Sequence, residues 1–129
     1  MAKTTDLQLR TQLRAAAAAA VAKKAQDPVI LDVRKLAGFC DYFLICHGNS
    51  PVQIEAITEA VEKRLAEAGL HPAHREGARQ GEWRALDYVD FLVHVFSPRT
   101  RRFYDLERLW SGAPRVAVES RGRKPKGDD

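Results

Sequence analysis

The sequence predicts an α/β protein, a mixed β-sheet flanked by helices. Three observations carry this. First, Phe91 to Phe96 is apolar on both faces, with Phe91, Val93 and Val95 pointing one way and Leu92, His94 and Phe96 the other. Tyr42 to Cys46 is continuously apolar in the same manner. Strands of this kind are covered on both sides and sit centrally in a sheet. Second, two long stretches repeat apolar residues at helical spacing behind good capping residues. Third, Asp87 to Trp110 runs from a buried strand through a basic turn into a short aromatic segment. The rest of the chain is expected to hold that stretch in place.

Taken in order, Thr5-Asp-Leu-Gln8 fits a capping box. Leu9, Leu13, Ala16, Ala17 and Ala20 then share one helical face. The alanine run reads as strong helix propensity with close packing on a sheet. Asp27-Pro28 is expected to end this helix, because the residue before a proline avoids the helical region. Val29 to Val33 alternates as a strand. Arg34 to Phe39 reads as a loop.

His47-Gly-Asn-Ser-Pro51 is a turn into a second helix. Ser50 caps it, Pro51 takes the first position, and Gln53 is expected to complete another capping box. Ile54, Ile57, Val61, Leu65 and Ala68 form its apolar stripe, and Gly69 is a C-terminal stop. This is the first half of a β-α-β unit. A short edge strand is expected near His74-Arg-Glu76. Trp83 to Tyr88 and the Phe91 strand read as an antiparallel hairpin about Tyr88-Val-Asp90. Ser97-Pro98 stops the strand and starts a helix, with Phe103, Leu106, Leu109 and Trp110 as its apolar face.

The 129 residues read as one domain, 1–112, followed by a disordered basic tail, 113–129, of which Ala117 to Asp129 is expected to be dispensable for folding. Hydrophobic content of 45% suits a globular core. The two cysteines, Cys40 and Cys46, would lie about 20 Å apart along a strand, too far to bridge. Reduced thiols and a cytoplasmic location are expected. No apolar run is long enough to span a membrane, and the start is no signal peptide. A net charge of +4 permits contact with an anionic assembly without demanding one.

Candidate chemistry is thin. Gly48-Asn-Ser50 could cradle an anion at a helix start, but it lacks both glycine-rich phosphate fingerprints. Nucleotidyl transfer needs two carboxylates on one strand face to hold Mg²⁺. Asp87 and Asp90 are three apart and straddle a turn. His71, His74 and Glu76 read as a solvated loop rather than a zinc site. His94 reads as a hydrogen-bonded core histidine. Cys46 and His47 point to opposite faces and cannot pair. No catalytic residue, metal or cofactor is expected. A recognition surface remains: Trp83, Tyr104 and Trp110 beside Arg99, Arg101 and Arg102, the residue types enriched at hot spots. The same residues also fit core aromatics with solvated arginines. Tyr104 lies off the Phe103–Leu106 stripe and is expected to reach solvent, while Phe103 and Leu106 anchor the helix.

Several pieces together resemble the ribosomal silencing factor (RsfS, Iojap-like) family. They are Asp41-Tyr-Phe-Leu-Ile-Cys-His-Gly-Asn-Ser50, Glu76-Gly77, Glu82-Trp83, Asp87-Tyr88, Val93-His-Val-Phe96 and Arg101-Arg-Phe-Tyr-Asp-Leu-Glu-Arg-Leu-Trp110. They span about Leu7 to Trp110. The resemblance implies a nucleotidyltransferase-like fold without the catalytic carboxylate pair, and so no enzyme. It implies binding to the large ribosomal subunit through large-subunit ribosomal protein fourteen, which blocks joining with the small subunit and represses translation under nutrient limitation. The positions carrying this look like Trp83, Tyr104, Leu106 and Glu107. Arg101, Arg102, Asp87 and Trp110 are possible further contacts, and ribosomal RNA a possible further partner. Members also form homodimers. Two departures stand out: Val89 where the family often has Gly, and His47 in place of a small hydroxyl residue. The class that competes with this reading is a nucleotide-binding or nucleotidyltransferase enzyme.

Overall fold

The computed structural model describes residues 5–78 and 80–119. Its elements in chain order are α1 (Asp6–Ala22), β1 (Gln26–Asp32), β2 (Tyr42–His47), α2 (Pro51–Ala66), β3 (His74–Gly77), β4 (Trp83–Asp87), β5 (Phe91–Phe96), α3 (Pro98–Tyr104), α4 (Leu106–Leu109) and β6 (Arg115–Val116). The six strands form one sheet in the order β3-β4-β5-β2-β1-β6. Only β2 and β5 pair in parallel; the other neighbours are antiparallel. This is the mixed sheet expected, with the doubly apolar strands β2 and β5 at its centre.

The two faces are covered unequally. On one, α1 and α2 pack over Ile30, Tyr42, Leu44, Cys46, Leu86, Phe91, Val93 and Val95, all buried. The small face of α1 (Ala16, Ala17 and Ala20) brings that helix close. The other face carries Val29, Leu31, Phe43, Ile45 and Phe96, with Trp83, Leu92, Leu106 and Trp110 partly buried against them. Among the described residues its cover is the 33–41 loop, the short helices α3 and α4, and Ala113. A continuous apolar strand face with a thin cover leaves apolar surface open to a partner.

The helix starts follow the sequence. Thr5 and Gln8 form the reciprocal capping box. Ser50 caps α2 by accepting from the Gln53 N–H at 3.1 Å. The expected second half of that box is redirected. Gln53 Oε1 accepts from the Asn49 N–H at 2.6 Å, while its Nε2 donates to the carbonyls of Lys23 and Lys24 at 3.2 and 3.1 Å. One side chain therefore ties the end of α1 to the start of α2. It also explains why α1 stops at Ala22, before Asp27-Pro28. Lys24 has φ 71, and the chain turns there into β1. Pro28 lies inside β1, at a register shift between Gln26 and Val29 where its missing N–H leaves no gap in the ladder.

The β4–β5 hairpin forms where expected. Val89 has φ 73, and the Asp90 N–H donates to the Tyr88 carbonyl at 2.8 Å. A positive φ at the centre of that three-residue turn favours glycine. The Asp87 carboxylate holds it by accepting from the Val89 N–H at 2.8 Å.

Two further expectations are corrected. The domain does not end at residue 112. Arg115 and Val116 form β6 beside β1, the Asp32 N–H donates to the Pro114 carbonyl at 2.8 Å, and Val116 is buried. Val118 packs against the core as well. Val116 and Val118 supply apolar surface that the surrounding charges masked in the composition. The tail beyond Glu119 lies outside the described residues. Nor do Phe103 to Trp110 form one helix. Asp105 is left-handed (φ 48, ψ 50) and separates α3 from α4. Phe103 and Leu109 are consequently 75% and 69% exposed, so Phe103 does not anchor the helix.

Candidate functional site: an aromatic hollow on the thinly covered face

The site is assembled from the ends of β4 and β5 and the start of α3. Trp83 opens β4, and its cross-strand partner is Phe96, the last residue of β5. Ala85 faces His94 in the same register. Ser97 caps α3, with Pro98 in its first turn. The Ser97 N–H and the Thr100 hydroxyl both donate to the Glu82 carbonyl, each at 2.8 Å. Arg99 adds an ion pair to the Glu82 carboxylate at 2.7 Å. So α3 rises directly beside Trp83, and its last residue, Tyr104, folds back over the strand ends.

The rings interlock. Tyr104 stacks on Phe96 with centroids 5.8 Å apart and meets Trp83 edge-on at 6.2 Å. Phe96 stacks on His94 at 5.6 Å, and His94 meets Phe43 edge-on at 5.6 Å. Trp83, Ala85, His94, Phe96, Tyr104, Leu106 and Glu76 line a hollow of about 190 Å³. Tyr104 stays 45% exposed at its rim, and Phe103 stands beside it. Trp83, Tyr104 and Leu106 are thus brought together, as expected. The hollow is open and mostly apolar, offering shape and ring faces, with Glu76 and His94 as its titratable lining residues.

Among the described residues His94 has no hydrogen-bond partner, where one was expected. Its contacts are with rings, and burial pushes its pKa down to about 4. At neutral pH it is an uncharged part of the hollow's floor. Burial pushes the Cys40 and Cys46 thiols up to about 11 and 12, so both remain thiols.

The other sequence candidates separate from the hollow. Asp87 sits at the far end of β4, roughly 13 Å along the strand from Trp83, where it holds the turn. Trp110 packs edge-on against Phe43 and Phe39 at 5.6 and 6.3 Å, on the β2 side. Arg101 and Glu107 pair with each other. Arg101 Nε and Nη2 donate to the two carboxylate oxygens at 3.0 Å each. The Arg101 hydrogen bond holds the Glu107 carboxyl below the usual carboxylate range. Arg101 Nη1 lies 2.9 Å from His47 Nδ1, and burial, with Arg101 second, pushes the His47 pKa down. Arg102 is exposed on the rim of the neighbouring cleft that His47, Arg101, Glu107 and Arg115 also line.

Phe96 and Ala85 were missed as site residues. Counting the hairpin register outward from a two-residue turn at Val89-Asp90 pairs Trp83 with Phe96, whereas a turn centred on Val89 would pair it with Val95. The break at Asp105 had no signal, because neither glycine nor proline marks it.

Known proteins bear on this geometry. The chain matches the family model "Ribosomal silencing factor during starvation" over residues 6–129. A ribosomal silencing factor from Bacillus subtilis is 41% identical over 102 residues, 79% of this chain and 86% of that one. One from Halalkalibacterium halodurans is 41% identical over 97 residues, 75% of this chain and 83% of that one. The chloroplastic protein Iojap of Zea mays is 33% identical over 95 residues, which cover 74% of this chain and 41% of that longer one. A crystal structure of a protein from Chromobacterium violaceum superposes with a TM-score of 0.74 at 32% identity, covering 95% of this chain and 99% of the other. The shared sheet therefore comes with shared sequence, and the chain belongs to the ribosomal silencing factor family.

Proposed function

We propose that this protein represses translation by docking on the large ribosomal subunit, through large-subunit ribosomal protein fourteen, where the small subunit would otherwise join. Family membership supports a ribosome-directed, regulatory role. The observation that carries the docking reading is the hollow itself. Trp83 and the half-exposed Tyr104 stand around an apolar floor on the thinly covered face of the sheet. Large amphipathic rings of this kind concentrate interface energy, because they bury much area while losing little side-chain freedom.

The role is binding, without catalysis. Asp87 is spent on the Val89 turn, and no second carboxylate shares its strand face. Arg102 offers a cation for ribosomal RNA at the edge of the docking surface. The free protein is a homodimer, as the resemblance implies, and its two free thiols fit a cytoplasmic location.

The test is co-sedimentation with purified large subunits, paired with a subunit-joining assay. Wild-type protein should pellet with large subunits and reduce joined ribosomes. Trp83→Ala should do neither while keeping its circular dichroism spectrum. Tight, Mg²⁺-dependent binding of a nucleoside triphosphate, lost in Asp87→Ala, would overturn this reading in favour of a nucleotidyltransferase.

A further inference from the structure

We infer that Arg101 and Glu107 are positioning residues, a clamp that holds the break between α3 and α4 so that Tyr104 and Leu106 face the same hollow as Trp83. The inference rests on the docking reading above and adds residues that act on the surface from behind it.

In an unbroken helix, residues six apart are roughly 120° apart around the axis and about 9 Å apart along it. A two-pronged pair between Arg101 and Glu107 could not form there. The left-handed Asp105 turns the chain back, and the guanidinium meets both carboxylate oxygens at 3.0 Å. The pair therefore requires the break. An unbroken helix would also set Tyr104 and Leu106 about 160° apart around its axis, one on the hollow and one away from it. In the structure both line it.

The clamp is anchored to the sheet. Arg101 Nη1 reaches His47 Nδ1 at 2.9 Å and the Gln26 carbonyl at 3.4 Å, at the end of β2 and the start of β1. Arg115 approaches Glu107 from the β6 side at 3.8 Å. The Arg101 side chain is 11% exposed and that of Glu107 24%. Arg101 is thus largely covered, and both oxygens of the Glu107 carboxylate are engaged by its guanidinium. A guanidinium is required, because only a planar fork bonds a carboxylate twice and still presents a third nitrogen elsewhere.

The test uses the full chain and purified large subunits. Affinity, thermal melts and the nuclear Overhauser contacts between the Trp83 and Tyr104 rings are measured for Arg101→Gln, Arg101→Lys and Glu107→Gln. Arg101→Gln and Glu107→Gln should each weaken binding at least tenfold and lose the ring–ring contacts, while both proteins remain folded. Arg101→Lys should not rescue, because its ammonium cannot bridge Glu107 and His47 together. Should Arg101→Gln unfold, Glu107→Gln decides. Binding within twofold of wild type in either folded variant would overturn the inference. So would weakened binding with the ring contacts intact, since that marks a direct contact with the partner. Tyr104→Ala, run alongside, separates two failures: normal binding there removes the docking surface itself, whereas loss there with normal binding in Arg101→Gln removes only the clamp.

Discussion

The Trp83 indole meets the Tyr104 ring edge-on, with centroids 6.2 Å apart and planes at 76°. This contact joins the first residue of β4 to the last residue of α3. Phe96, stacked beneath Tyr104, completes the corner. Tyr104→Ala should weaken binding to the large subunit by about 2 kcal/mol or more, on hot-spot magnitudes. Folding stability should fall by only about 1 kcal/mol, the worth of the ring contacts of a half-exposed side chain. Sedimentation titration and urea denaturation measure the two separately. Normal binding, or a binding loss explained by unfolding, would place the ribosome contact elsewhere.

Phe103 gives a sharper separation. It is 75% exposed and lies 5.1 Å from Tyr104, centroid to centroid. Phe103→Ser should leave stability within about 0.5 kcal/mol of wild type, as for most exposed sites. The same change should weaken large-subunit binding, because it strips an apolar ring from the rim of the hollow. A large fall in melting temperature would show that Phe103 does anchor the fold, as the apolar spacing of the sequence suggests.

Val116 tests whether the domain extends past residue 112. It is 8% exposed and pairs with Ile30 of β1. Val116→Asp places a charge in that core and should cost about 2 kcal/mol or more. Thermal melts read this directly. An unchanged melting temperature would mean that β6 contributes nothing to the fold.

His94 makes stability depend on pH. Its pKa is about 4 in the folded protein, against an ordinary value of 6.5. The folded state keeps the ring neutral, while the unfolded chain takes up a proton. The contribution is fully present above pH 6.5 and is lost as pH falls toward 4, by roughly 3 kcal/mol in all. His94→Phe should lose correspondingly less stability between pH 7 and 4. Asp32 and Glu107, both held below the usual carboxylate range by arginine hydrogen bonds, add acid sensitivity common to both proteins. Parallel urea curves for wild type and His94→Phe across this range would sink the assignment.

Much of the architecture was legible because it rests on local chemistry. The caps at Thr5, Ser50 and Ser97 set where α1, α2 and α3 begin. The apolar alternation of Phe91 to Phe96 put Val93 and Val95 on one face and His94 and Phe96 on the other; the structure turns the first toward α1 and α2 and the second toward the thinly covered face. Trp83, Tyr104 and Leu106 were legible as a group through resemblance. Their meeting in space follows from the hairpin register and from the Ser97 cap.

The sequence by itself determined the order of elements from α1 to the start of α3, the central pair β2 and β5, and Trp83 and Tyr104 as rings of the surface. Periodicity and capping are properties of neighbouring residues, so they survive without knowledge of the rest of the chain. The tertiary structure alone decided three things. Gln53, a capping residue by sequence, became a latch because the end of α1 lies beside the start of α2. Val116 became core because β1 presented an open ladder edge to it. Asp105 became left-handed because Arg101 could reach Glu107 on one side and His47 on the other. Each depends on groups distant in sequence meeting in space, which no local pattern encodes.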